Sequence, residues 1–301
     1  MVKSRLALML AALLAASVAS AGSLELRIND RVTTWDTIAV FVMPGETLAL
    51  ELPPDASSSG WATGGGTLAE SGPGRADWVA PDVPGLYPLA AVCGPTVKLV
   101  NAFVKVPFAE LKSGRLNGYR IGRYPKSNPF PLFTVPDGFV EVKPEILDVA
   151  LSPRYTLRQF VPGRPGGWPA YIALREELIL KLELLTDFVI EKGHKCTRLA
   201  VMSGYRTPAW QYNEGSGRNS AHIYGGAADV YIDENGDRRL DDLNGDGVSD
   251  SKDSRLLAGY ADELEQRYPE LVGGVGWYRR SRSRTAFVHV DVRGERMRWH
   301  E

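Results

Sequence analysis

Cysteine is scarce in this 301-residue chain, which has two, Cys93 and Cys196. Two thiols exclude a disulfide-stapled scaffold and a thiolate metal cage, so a hydrophobic core must hold the fold. They leave open either one bridge between the halves or two separately buried thiols. Histidine is scarce too, at four residues (His194, His222, His289 and His300), so imidazole chemistry has few places to reside. Excess charge of one sign is missing: 35 Lys and Arg against 36 Asp and Glu leave a net charge of -1. That balance excludes a strong general attraction to nucleic acid. Long apolar runs are missing after Val18, which excludes a later membrane-spanning helix.

What is present begins with Lys3 and Arg5, an apolar Leu/Ala stretch from Leu6 to Val18, and Ala19-Ser20-Ala21 before Gly22. This is the pattern of a secretory leader, residues 1–21, and predicts an exported protein in a periplasmic or extracellular compartment. Cleavage would remove two positive charges and shift the net charge from -1 to -3. The remaining chain of about 280 residues exceeds what one core usually holds, which predicts two domains.

From Leu24 to Val106, short apolar runs alternate with turn residues. Strands are predicted at Leu24–Ile28, Thr37–Val42, Leu48–Leu52, Asp77–Ala80, Tyr87–Cys93 and Lys98–Val106, broken by Pro44-Gly45, Gly64-Gly65-Gly66 and Pro84-Gly85. This spacing suggests an antiparallel sandwich over 22–107. Within it, Trp78-Val79-Ala80-Pro81 and Pro84-Gly85-Leu86-Tyr87 resemble the strand-turn-strand of immunoglobulin-like bacterial surface modules. Residues 108–148 are rich in Gly, Pro, Arg and aromatics, as in Asn117-Gly118-Tyr119, Tyr124-Pro125 and Asn128-Pro129-Phe130-Pro131. They show no helical or strand period and read as an ordered linker that packs by its aromatics.

The second domain, 149–301, carries the clearest helix, Pro169 to Lys192. Leu178, Leu182, Leu185 and Val189 make its buried stripe and Gly193 stops it. Leu199–Met202 then reads as a strand that delivers Ser203-Gly204-Tyr205-Arg206 to an edge. His222 and Asp229 are separated by Gly225-Gly226, which argues for a turn followed by a strand, Val230-Tyr231-Ile232. In Phe287-Val288-His289-Val290, alternation puts His289 and Asp291 on one strand face. Two neutral imidazoles and a carboxylate form a three-donor set with a fourth position left open, the signature of a catalytic rather than a structural zinc.

Taken together, Ser203-Gly204-Tyr205-Arg206, Ser220-x-His222-x-x-Gly225-x-Ala227-x-Asp229, Gly274-Val275-Gly276-Trp277-Tyr278, Phe287-Val288-His289-Val290-Asp291 and Arg298-Trp299 resemble the zinc D-alanyl-D-alanine carboxypeptidases and murein endopeptidases. That family shares its core with the hedgehog signalling domain. The resemblance covers roughly residues 150–301 and implies an α+β chain: an N-terminal all-β immunoglobulin-like sandwich followed by an antiparallel-sheet-and-helix zinc peptidase domain. It implies zinc on His222, Asp229 and His289, with Arg206 anchoring substrate and stabilising the oxyanion. Tyr205, Ser220, Trp277 and Tyr278 are expected to bind substrate, with Gly273-Gly274 opening a loop that lines the cleft. Several branches of the family carry a glutamate three residues before the last histidine, where this chain has Ala286. Asp291 is then the candidate general base, or a group that orients His289. The implied activity is metal-dependent hydrolysis of amide bonds in peptidoglycan stem peptides or cross-links. The alternative is a non-catalytic zinc- and calcium-binding protein of the cell wall or surface.

Between the ligand strands lies an acidic insertion, residues 233–253. Asp242, Asn244, Asp246, Val248 (through its carbonyl), Asp250 and Asp253, with Gly247 at the turn, match the spacing of a calcium loop apart from Asp in the final position. The loop resembles those of dockerins and thrombospondin type 3 repeats. Asp253 and Ser254 are expected to cap the helix whose stripe is Leu256, Leu257, Tyr260 and Leu264.

Overall fold

A computed structural model describes residues 24–53, 59–126, 130, 133–162, 167–213 and 219–301. The expected leader, and Asn128, Pro129 and Pro131 of the linker, lie outside the described residues. The chain is mixed α/β with sheet predominating. Its strands are β1 (Leu26–Ile28), β2 (Arg31–Thr33), β3 (Thr37–Val42), β4 (Thr47–Glu51), β5 (Ser59–Thr63), β6 (Thr67–Gly72), β7 (Arg75–Val79), β8 (Gly85–Cys93), β9 (Thr96–Val104), β10 (Val106–Pro107), β11 (Arg115–Leu116), β12 (Tyr119–Arg120), β13 (Gly138–Val142), β14 (Ala170–Ile172), β15 (Ala200–Ser203), β16 (Ala227–Tyr231), β17 (Gly274–Tyr278), β18 (Phe287–Asp291) and β19 (Met297–His300). The helices are α1 (Glu176–Glu191), α2 (Pro208–Asn213) and α3 (Ser251–Arg267). No helix among the described residues is long and apolar enough to cross a membrane.

In the N-terminal part, a five-stranded sheet β2-β1-β4-β7-β6 and a four-stranded sheet β3-β9-β8-β5 enclose one apolar cluster. In β1, β4 and β7 inward residues such as Leu26, Leu48, Leu50 and Trp78 alternate with exposed ones, as a sheet with one wet face requires, whereas Leu89 on β8 and Val100 on β9 have only buried or half-buried neighbours. Trp78 and Tyr87 fall in different sheets, so the chain crosses from one layer to the other between them. Strands β2, β5 and β6 were not legible in the sequence, because Arg31–Thr33, Ser59–Thr63 and Thr67–Gly72 each hold a single large apolar residue, Val32, Trp61 and Leu68, among polar or small ones. Neighbouring strands impose the extended state on them.

The linker contains more regular structure than its composition suggests. β13 pairs with β10 on one side and β14 on the other, joining the N-terminal part, the linker and the C-terminal part in one small sheet. Four of its five residues are buried, so it shows no alternation, and that hid it. Further contacts tie the two parts: Asn101 Nδ2 donates to Ala150 O at 2.8 Å, and the Phe41 amide donates to Glu176 Oε1 at 2.9 Å.

The predicted first helix is shorter than expected. Its first residues form β14, and α1 starts at Glu176, where Glu176 and Glu177 complement the helix dipole. Leu178, Leu182, Leu185 and Val189 are fully buried, and Gly193 ends the helix at φ +91°. α3 is capped by Asp250 together with the expected Asp253: the Asp250 side chain accepts from the Lys252 amide, and the Asp253 side chain accepts from the Asp250 amide to close a capping box, in which Ser254 takes no part.

The C-terminal sheet runs β15-β16-β18-β17-β19, antiparallel except for β17 beside β19. Its two faces differ in kind. Ala228, Val230, Val275, Val288 and Val290 belong to the large core that also contains the buried stripes of α1 and α3. The alternate residues, Asp229, His289, Asp291, Gly276, Tyr278 and Trp299, share the opposite face by register.

Candidate metal centre

Asp229 on β16 and His289 on β18 are direct register partners, so pairing alone brings two donors side by side. His222 arrives from a 3-10 turn, Ala221–Tyr224, that ends at Gly225 in the left-handed region at φ +72°. A Cβ at Gly225 would lie 2.4 Å from the Ala173 carbonyl oxygen. Gly226 is likewise pressed on the Phe133 ring. These glycines therefore let the turn seat against β14 and the linker, rather than let backbone approach a metal. Linker aromatics hold the other side of the turn: Phe133 stacks on Tyr224 at 5.4 Å, and Tyr124 Oη donates to the Ile223 carbonyl at 3.0 Å.

The result is three donor atoms facing one another. His222 Nε2 lies 3.2 Å from Asp229 Oδ1 and 3.1 Å from His289 Nδ1, and His289 Nδ1 lies 3.0 Å from Asp229 Oδ1. A tetrahedral ion with bonds of about 2.0–2.1 Å needs ligand separations of about 3.3 Å, so the spacing fits. Among the described residues this is the one place where three His, Cys, Asp or Glu ligand atoms converge, and all three residues are buried. The group can hold a metal ion.

Both tautomers are set from behind. His222 Nδ1–H donates to the Gly204 carbonyl at 2.7 Å, leaving Nε2 with a lone pair. His289 Nε2–H donates to Asp291 Oδ2 at 3.0 Å, leaving Nδ1 free toward the cluster. Burial pushes the His222 imidazole below its ordinary value against the pull of Asp229. Burial acts the same way on His289, but its hydrogen bonds to Asp229 and Asp291 outweigh this and hold it above the ordinary value. Burial disfavours the Asp229 charge, yet His222, His289 and Arg206 keep its carboxyl well below the usual range.

Each residue of Ser203-Gly204-Tyr205-Arg206 has a distinct place. Ser203 pairs with Asp229 and its Oγ accepts from Arg206 Nε at 2.8 Å. Gly204 lies so close to Phe160 that a Cβ would sit 2.7 Å from its Cα, and its carbonyl orients His222. Arg206 donates through Nη2 to Asp229 Oδ2, beside the three-donor cluster, with its guanidinium 5.5 Å from the Trp210 ring. Tyr205, expected to bind substrate, is instead buried, its hydroxyl 3.2 Å from that of Tyr124. It is a core anchor. Ser220 is the residue before the His222 turn, and its carbonyl accepts from the Ile223 amide at 3.2 Å.

The Gly274–Tyr278 segment is a strand, not a loop, and its alternation separates the two expected aromatics. Trp277 lies on the helix-covered face and stacks on His300 at 4.8 Å, so it does not line the metal face. Tyr278 does share that face, stacked on Phe287 at 4.4 Å. Two residues complete the surroundings: Trp299, which the sequence offered in the Arg298-Trp299 motif without a role, and Arg293, which sequence reasoning missed. Trp299 lies over Gly276, where any Cβ would meet its indole at 2.3 Å, and is 5.1 Å from the His289 ring. Arg293 clamps Asp291 with Nε 2.9 Å from both carboxylate oxygens. The only sequence signal for Arg293 is a cation two residues beyond Asp291.

Asp291 is consequently a correction to the general-base expectation. It meets His289 on the ring nitrogen turned away from the donor cluster, is 0 % exposed, and is further held by the Gly274 amide at 2.8 Å. It orients the His289 ring from behind and does not face the donor cluster. Lys181, from α1, donates to the Asp291 carbonyl at 2.7 Å and to Glu265 at 2.6 Å, fixing the strand end itself.

The acidic insertion does not gather three carboxylate oxygens in this way. Asp242 accepts from the amides of Gly245, Asp246 and Gly247, and Asp253 from those of Leu243, Asn244 and Asp250. Asp246 pairs with Lys252 at 2.6 Å. His194 bonds the Tyr260 hydroxyl and takes no part in the three-donor group. Cys93 and Cys196 are free thiols, and burial pushes that of Cys196 up to about 12. No protein-family model, curated protein or solved structure matches the chain.

Proposed function

We propose that this chain is an exported zinc-dependent peptidase of bacterial peptidoglycan, cleaving amide bonds in stem peptides or cross-links. The observation that carries the reading is the convergence of His222 Nε2, His289 Nδ1 and Asp229 Oδ1 with both rear imidazole nitrogens already bonded. Two imidazoles and one carboxylate are a donor set suited to zinc, and three protein ligands leave a position for water or substrate. Bound there, zinc supplies a Lewis acid that makes water nucleophilic near neutral pH.

The chain's own groups do the rest. Arg206 is held by Ser203 and Asp229 beside the cluster, where its remaining guanidinium N–H groups can meet a negatively charged substrate oxygen. Asp291 and Arg293 keep the His289 ring in register. Tyr278 and Trp299, linked by an indole-to-hydroxyl hydrogen bond of 2.7 Å, form a wall on the same face. The general base is left without a carboxylate candidate once Asp291 is removed from that role. The N-terminal pair of sheets is then the immunoglobulin-like spacer or wall-contact module, and the C-terminal part the peptidase domain.

Incubation of the purified protein with defined muropeptides, analysed by mass, tests the reading. New termini are expected from the zinc-loaded protein and none from His222→Ala, whose bound zinc should also disappear. Identical chromatograms for the two would overturn it. In the acidic insertion we propose calcium, on the spacing of Asp242, Asn244, Asp246, Asp250 and Asp253 and the left-handed Gly245 and Gly247. A rise in melting temperature on adding calcium supports this, and none at 10 mM calcium, far above the ~0.1–1 mM affinity class of extracellular sites, refutes it.

A further inference from the structure

The turn between β17 and β18 carries Arg279, Arg280, Arg282 and Arg284 within six residues, interleaved with Ser281 and Ser283, in a chain whose net charge is -1. All four arginines are exposed. Among the described residues no carboxylate forms an ion pair with any of them, whereas most other described arginines of this part are paired, among them Arg267, Arg293, Arg296 and Arg298. Four like charges without counter-charge repel one another, so the segment costs stability in the free chain.

The turn is nevertheless pinned. The Arg279 amide donates to the Glu301 carbonyl and the Ser281 amide to the Arg284 carbonyl, each at 2.9 Å. Thr285 Oγ1 accepts from the Leu240 amide at 2.8 Å, and Arg284 lies 5.6 Å from the Phe287 ring. The guanidinium groups are thus presented on an ordered support, in the turn that leads into β18, with Arg284 three residues before Phe287 and five before His289. Guanidinium forks match phosphate oxygens bidentately, which ammonium groups do not. None of the large exposed apolar side chains falls in 279–285, so the turn lacks the wedge that interfacial membrane binding uses.

We propose that this turn is a docking site for a linear, phosphate-bearing polyanion. Its place beside the metal face makes it a second contact that holds the chain on an anionic polymer while the site works. The proposal goes beyond the peptidase reading and does not depend on metal.

The test is binding of fluorescently labelled inorganic polyphosphate to chelator-treated full chain, read by anisotropy between 25 and 200 mM NaCl. A Kd of about 1–100 μM at low salt is expected, with a log–log salt slope near -3, from about 0.7 per phosphate contact on a single strand. Arg280→Gln/Arg282→Gln/Arg284→Gln should weaken binding at least about tenfold and reduce the slope by about 2. Arg27→Gln/Arg75→Gln/Lys143→Gln removes the same charge from exposed cations that already face carboxylates, and should bind as wild type does. Equal weakening by both triple variants, or no binding at all, overturns the proposal. So does tighter binding to phosphatidylglycerol vesicles than to polyphosphate at equal phosphate, which would make the turn a membrane contact.

Discussion

Asp291→Asn separates the orientation of a ligand from the stability of the fold. The substitution keeps the volume of a side chain that is 0 % exposed and removes its charge. Arg293, 6 % exposed, is then left with a neutral partner in a site where water cannot replace it. Breaking a buried ion pair from one side costs about 3–5 kcal/mol. The Asn oxygen can still accept from His289 and Arg293, which sets the expectation at the lower end of that range, since neutral acceptors are weaker than charged ones. Loss of the carboxylate behind His289 should also lower metal affinity about 10–100-fold. Urea denaturation reads the first quantity and competition against a chelating dye the second. In Asp291→Leu/Arg293→Leu no charge is left unpaired, but the Gly274 amide and His289 Nε2–H lose their acceptor, so stability should recover only in part while metal affinity stays low. The pH dependence has a definite sign. Asp291 titrates below the ordinary carboxylate range, despite its burial, because His289 and Arg293 favour its charge. Its contribution is therefore fully present above about pH 4, the unfolded value, and is lost as pH falls through the lower folded value. Wild type and Asp291→Asn should converge in stability at the acid end. Unchanged metal affinity in a folded Asp291→Asn protein would refute the assignment of Asp291 as the orienting group.

Metal affinity itself should fall with falling pH, because protons and metal compete for the same imidazole lone pairs. With His289 held above its ordinary value, weakening should begin above about pH 6.5 in a chelator-competition titration from pH 8 to 5.5, and a flat profile would contradict the ligand set. Gly225→Ala should lose at least about 2 kcal/mol, since it imposes a left-handed strain and drives a methyl into the Ala173 carbonyl. Thermal or urea melts within 0.5 kcal/mol of wild type would show that the turn is looser than this. Trp299→Ala should impair metal-dependent hydrolysis with modest loss of stability, whereas Trp277→Ala should lower stability and leave kcat intact, and the reverse pattern would mean that the faces have been assigned wrongly. Tyr205→Phe should cost about 1 kcal/mol, the worth of one hydrogen bond, without raising KM.

The metal donors were legible because their signals are local. A histidine or carboxylate in an apolar, alternating stretch is costly unless it is used, and that is visible in Phe287-Val288-His289-Val290 without any fold. The stripe Leu178, Leu182, Leu185 and Val189 was legible for the same reason, since short-range periodicity reports which face is buried, and the strand Thr37–Val42 was legible as a short apolar, partly β-branched run bounded by turn residues. What lies across a face is set by partners distant in sequence. Nothing in Trp277-Tyr278 says which aromatic turns toward the ligands until β17 takes its register beside β18. Nor does His289-Val290-Asp291 reveal that Asp291 stands behind the imidazole, since that depends on Arg293, Gly274 and a lysine from α1 converging on one carboxylate and its carbonyl. Sequence alone thus determined which groups are able to bind a metal, because residue type and alternation are properties of neighbours. Only the tertiary structure decided which of those groups face the cluster and which support it from behind, because that is fixed by strand pairing and packing between residues tens to a hundred positions apart.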